Sequence, residues 1–159
     1  MIDNLLVHIR GNNCQILFGD NVTIRKNVLF TITGNNCRIE IGDFSSFDEY
    51  VQLEVNEDNQ FITIGKDCMF SNHIIVRTND SHPIFDKETK VRINPPKSIL
   101  LRNHIWVAGF AKILKGVTIE SGSIIGMSAI VTHDVPENVI VTGAPAKIIK
   151  HNIIWKRDY

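Results

Sequence analysis

The chain has 159 residues, 43% apolar and 21% charged, with 17 acidic and 17 basic side chains. That suffices for one core in one domain, and it excludes a global field that would recruit nucleic acid or an anionic membrane. Met1 to Arg10 is short and broken by Asp3, Asn4 and His8, so neither a signal peptide nor a transmembrane segment is expected, and the expected setting is cytoplasmic.

Charge is unevenly spread. Residues 1–70 carry ten acids and five bases, whereas 71–115 carry eight bases and three acids. The middle stretch suits an anionic ligand or a solvated face. The three cysteines, Cys14, Cys37 and Cys68, form no C-x-x-C pair and read as small hydrophobes in a reducing compartment.

Taken in chain order, the elements repeat. Phe18-Gly19-Asp20-Asn21-Val22, Ile41-Gly42-Asp43-Phe44-Ser45 and Ile64-Gly65-Lys66-Asp67-Cys68 start 23 residues apart, and Asn-Asn-Cys recurs at 12–14 and 35–37. Within each unit an apolar residue returns every six positions: Phe18, Ile24, Phe30; Ile41, Phe47, Leu53; Ile64, Phe70, Val76. Leu101, Val107, Ile113, Ile119, Ile125 and Val131 continue this phase without a break. A helix would repeat at three and four residues and a simple amphipathic strand at two.

A period of six predicts short strands joined by turns, three strands and 18 residues to a coil. The bulky residues then stack inside a prism-shaped solenoid. The early period of 23 is one coil plus five residues, and Gly34-Asn35-Asn36 and Glu57-Asp58-Asn59 are the turn-rich extras at one corner. No Asn-Gly or Asp-Gly turn supports an antiparallel sandwich instead.

From His82 to Leu100 the phase breaks. This stretch holds Pro83, Pro95 and Pro96, so residues 83–98 are expected to protrude as a loop of functional length. Beyond Val131 the period stops. Residues 136–159 form a C-terminal extension whose tail, from Ile148, is a candidate capping helix. The prediction is a single all-β solenoid domain over 1–159.

The segments Arg77-Thr78-Asn79-Asp80-Ser81-His82-Pro83-Ile84 and Arg92-Ile93-Asn94-Pro95-Pro96-Lys97 are followed by His104-Ile105-Trp106-Val107 and Gly143-Ala144-Pro145-Ala146-Lys147. In this order they resemble the left-handed parallel β-helix (hexapeptide-repeat) acyltransferases, most of all the bacterial O-acetyltransferases of capsule, lipopolysaccharide and polysialic acid biosynthesis. The resemblance implies a left-handed superhelix, opposite to the usual crossover rule. It also implies a homotrimer with active sites between subunits, acetyl-CoA as co-substrate in the groove, and a carbohydrate acceptor. Leu101-Arg102, Val107-Ala108 and Lys112 depart from the common pattern and bear on the shape of that groove.

Acetyl transfer from a thioester to an alcohol is limited by the alcohol's proton, because a thiolate leaves readily. A histidine neutral near pH 7 is the natural base. His82 lies where the coil gives way to the loop, and it aligns with the family's catalytic histidine. Asp80 is placed to hold its ring, unless it stabilises the turn and a backbone carbonyl holds the ring. Trp106 falls at an outward hexad position, and the resemblance puts it beside the catalytic histidine and against coenzyme or acceptor.

For the coenzyme, Gly109, Ala111 and Ala129 are small residues that permit close approach, and Pro145 and Lys147 resemble the element that meets the adenine and the 3′-phosphate. Arg77, Arg92 and Asn94 are candidates to face the acceptor. His73, His82 and His104 raise the alternative of a zinc site, but none of the histidines stands five residues from another, so no metal is expected. There is no P-loop, dinucleotide fingerprint or nucleophile elbow. Cys68 is expected to point inward, which favours direct transfer. Two readings compete: an acetyltransferase for an amino sugar, amino acid or antibiotic, and a non-catalytic trimeric scaffold.

Overall fold

The computed structural model describes residues 1–158; Tyr159, the last residue of the expected tail, lies outside the described residues. The backbone winds through three parallel walls; each coil adds one strand to each wall, except that the last reaches the second wall only through a bridge at Val135.

The first wall stacks β1 (Leu5–Arg10), β4 (Val28–Thr33), β7 (Gln52–Asn56), β10 (Ile75–Arg77), β13 (Lys112–Ile113) and β16 (Ile130–Val131). The second stacks β2 (Gln15–Phe18), β5 (Arg38–Ile41), β8 (Phe61–Ile64), β11 (Ile99–Leu101) and β14 (Thr118–Ile119). The third stacks β3 (Thr23–Ile24), β6 (Ser46–Phe47), β9 (Met69–Phe70), β12 (Trp106–Val107), β15 (Ile124–Ile125) and β17 (Ile140–Thr142), with β18 (Lys147–Lys150) at its edge. Every pairing is parallel except β17 with β18.

The six-residue series lines the interior, except Phe18, which lies on the edge strand β2 at 40% exposure. Ile24, Phe30, Phe47, Leu53, Phe70, Val107, Ile113 and Ile125 are all at most 1% exposed. Each such side chain contributes about 1.5–3 kcal/mol relative to leaving it in water. Phe47 and Phe70 stack with centroids 4.7 Å apart, and Phe30 meets Phe47 edge to face at 6.1 Å.

The five extra residues of the early coils do more than turn a corner. They lengthen the strands on either side, so Ile32 and Ile39 also face inward at 0% exposure. At the corner itself, Asn13, Asn36 and Asn59 hold φ of 54°, 55° and 61°, the left-handed region that asparagine tolerates. Their amides run as a ladder, Asn13 Nδ2 donating to Asn36 Oδ1 at 2.8 Å and Asn36 Nδ2 to Asn59 Oδ1 at 3.3 Å. Gly34 is required there, because a Cβ would lie 2.6 Å from the Glu57 carbonyl carbon.

The loop leaves this same corner. It doubles back as a short arm bridged antiparallel at Phe85 and Arg92, its tip closed by Asp86, which accepts from the Thr89 N–H at 2.7 Å.

The tail is not a helix. Residues 147–150 run antiparallel to β17, and Ile153 N–H donates to the Asn138 carbonyl at 3.0 Å. Four isoleucines between 148 and 154 are poor helix formers, and the third wall's edge offers unpaired backbone. Trp155 then packs flat on His104 at 4.0 Å between centroids. Among the described residues no helix is long and apolar enough to cross a membrane.

Candidate active site

His82 sits just past β10, on the corner between the first and second walls. The turn that presents it is strained: Ser81 has φ of 69°, at a cost of about 1–2 kcal/mol for a residue with a Cβ. Asn79 Oδ1 accepts from the Ser81 N–H at 3.2 Å and Ser81 Oγ accepts from Arg77 at 2.9 Å, which offsets that strain. The His82 side chain is exposed, and among the described residues nothing bonds to its ring.

Asp80 does not touch that ring. Its Oδ2 accepts from Asn94 Nδ2 at 2.9 Å and from Lys115 Nζ. The Lys115 hydrogen bond holds the Asp80 carboxyl below its ordinary pKa against the opposing effect of burial. Asn94, 7% exposed, lies at the base of the loop and contacts the His82 segment.

Arg77 and Arg92, expected to face an acceptor, are engaged within the chain. Arg77 donates to Glu54 at 2.9 Å, its register partner one coil earlier. Arg92 grips Glu57 with both terminal nitrogens, at 2.5 and 2.7 Å, and this lowers the Glu57 pKa.

Trp106 lies on β12 in the third wall, outward and half-buried. The third wall faces away from the corner that bears His82, so within one protomer the two are on opposite sides of the prism. Trp155 tilts over Trp106 at 6.1 Å. His104 is bound on both nitrogens, Nδ1 to Asp67 at 2.6 Å and Nε2 to the Trp155 carbonyl at 3.1 Å. Arg157 also donates to Asp67, at 2.6 Å. Sequence reasoning missed this latch because its partners are 51 and 90 residues apart.

Ala111 and Ala129 point into the core at 0% exposure, so their side chains face no groove. The space beside Gly109 is filled by its own chain, since a Cβ would lie 2.7 Å from Asn72 Oδ1. Pro145, in the turn from β17 to β18, and Lys147, the first residue of β18, are exposed. His73, His82 and His104 occupy three different corners, and among the described residues no three His, Cys, Asp or Glu side chains gather as a metal site. Cys68 is fully buried, with its thiol pushed up to about 11 by burial, which disfavours a thiolate nucleophile.

No family model matches the chain. The fold superposes on the crystal structure of the polySia specific acetyltransferase NeuO with a TM-score of 0.78 and 32% identity, over 97% of this chain and 89% of that one. The chain belongs to the hexapeptide-repeat acetyltransferases. Its three-walled column is accordingly the left-handed parallel β-helix of that family.

Among curated members, the polysialic acid O-acetyltransferase of Escherichia coli O1:K1 / APEC is 44% identical over 79 residues, 50% of this chain and 26% of that protein. The chain thus spans about a quarter of the length of that relative. The Bacillus cereus N-acyltransferase AntD, crystallised with dTDP-4-amino-4,6-dideoxyglucose and coenzyme A, shares the fold at TM-score 0.71 with 16% identity, covering 91% of this chain and 84% of that one.

Proposed function

We propose that this hexapeptide-repeat acetyltransferase moves the acetyl group of acetyl-CoA to a hydroxyl of a cell-envelope sugar, with His82 as general base. The observation that carries the reading is the His82 corner: an exposed imidazole with an unbonded ring, held on a strained and heavily braced turn. The acceptor hydroxyl attacks the thioester carbonyl, its proton passes to the imidazole, and collapse of the tetrahedral intermediate expels coenzyme A as thiolate, which takes that proton back. Backbone N–H groups of the coil edges stabilise the oxyanion.

Coenzyme A in the AntD crystal, the polySia specific acetyltransferase name at 32% identity and the polysialic acid O-acetyltransferase name at 44% identity support both substrates. A second copy completes the site. His82 and Trp106 lie on opposite sides of one prism, so Trp106 meets the base only across a protomer boundary, as in a homotrimer. Pro145 and Lys147 are exposed and available to the nucleotide end of the coenzyme. The cytoplasm, where acetyl-CoA is made and the three thiols stay reduced, is the compartment this chemistry suits.

N-acylation of an amino sugar is the second reading, favoured by the AntD fold. A screen of acetyl-CoA with hexosides, amino sugars and oligosialic acid, read as thiol release and product mass, separates the two. Thiol release with no acceptor acetylated would overturn both. His82→Ala is expected to lower transfer by about 10²–10⁴-fold while oligomeric state and melting temperature stay unchanged.

A further inference from the structure

Asn94 directs three of its four possible side-chain hydrogen bonds at the segment that carries His82. Its Oδ1 accepts from the Ile84 N–H at 2.5 Å, and its two amide hydrogens go to the His82 carbonyl and to Asp80 Oδ2, each at 2.9 Å. Only one orientation of the carboxamide fits, because two of its partners are oxygens that only accept and the third is an N–H. Residues 80, 82 and 84 are thereby clasped by a single buried side chain, 7% exposed.

The clasp is itself anchored. Arg92, two residues before Asn94, is fixed to Glu57 on the rigid corner, and Lys115 from the far side of the loop holds Asp80. Pro95 restricts the Asn94 backbone. The imidazole has no side-chain partner of its own, so its aim is set by the main chain beneath it.

We infer that Asn94 is the positioning residue for His82: it fixes the backbone that aims the imidazole and leaves both ring nitrogens free for proton transfer. The inference rests on His82 being the base. Asp80 then acts through Asn94 rather than on the ring, and Asn94 itself touches neither substrate.

The test uses the full chain with acetyl-CoA and, as acceptors, methyl hexosides and oligosialic acid. Asn94→Ala is expected to lower kcat by roughly 10²-fold, the scale of a misplaced catalytic group, with the KM for acetyl-CoA unchanged. Adding Asn94→Ala to His82→Ala is expected to cost nothing further, because a mis-aimed base and an absent base are equivalent. Asn94→Leu keeps the branched shape without donor, acceptor or charge, so it should be as impaired as alanine while leaving no cavity, which covers the case of an unfolded alanine variant.

Wild-type kcat in a folded Asn94→Leu chain overturns the inference alone, provided His82→Ala is inactive. So does an Asn94 loss that multiplies with the His82 loss. Full turnover in His82→Ala, or a wild type that acetylates none of these acceptors, overturns the reading beneath it as well.

Discussion

Two histidines on two corners show the same side chain in opposite settings. At the first corner the structure binds everything around His82 except its ring; at the second, both nitrogens of His104 are bound, to Asp67 and to the Trp155 carbonyl. An imidazole that is to move protons needs an unoccupied nitrogen, whereas one that clamps a tail needs both occupied.

The sharpest break in this comparison is His82→Ala, with its expected loss of about 10²–10⁴-fold in transfer and none in stability. A comparable stability loss there would make the two histidines alike. Next, Trp155→Ala should release the tail at a cost of about 3 kcal/mol of local stability, seen as trypsin cleavage after Lys156 and Arg157 in a chain whose core still melts cooperatively. Resistance to cleavage would mean that the latch does not hold the tail.

Acid should then open both corners. Asp67, although burial pushes its pKa up, ends below its ordinary value through hydrogen bonds from His104 and Arg157, while Asp80 is lowered by Lys115 and Glu57 by Arg92. Each carboxylate is more acidic folded than unfolded. Its stabilisation is therefore present above the usual carboxylate pKa of about 4 and is lost as pH falls through the lowered folded value. Thermal melts should show stability declining only below about pH 4, and a midpoint that instead rises there would contradict the pairing. The smallest effect is Glu57→Gln, which loosens Arg92 and the loop base by about 1 kcal/mol for a partly exposed pair; melting and kcat should both shift slightly, and a loss as large as that of His82→Ala would place Glu57 in the chemistry.

The column was legible in the sequence because its signal is local and cumulative: Leu101 to Val131 keeps phase through six hexads, and every member proved buried. The turn-rich corner was legible for the same reason, though the inward turn of Ile32 and Ile39 was not, since a five-residue insertion does not say how it divides between strand and bend. The Arg77 pairing was readable in principle, because 23 residues back in register stands Glu54. The Arg92 to Glu57 grip was not, as it crosses an irregular loop. The tail was misread as helical because its fate depends on the unpaired edge of β17 and on contacts with His104 and Asp67, 51 and 90 residues from their partners. At the site, the position of His82 was readable but the clasp by Asn94 was not, since nothing local marks an asparagine before two prolines as buried.

The parallel stacking of coils has a consequence for how such a chain can change in length. Loss or gain of a whole winding leaves each later strand bonded as before, much as a codon-sized deletion preserves a reading frame. Removal of a single residue from Leu101 to Val131 would instead rotate everything downstream by one position, turning isoleucines to solvent and threonines to the interior. Inherited length variation in the regular part of this molecule should therefore come in windings, and smaller insertions should collect in the loop after His82, where no phase has to be kept.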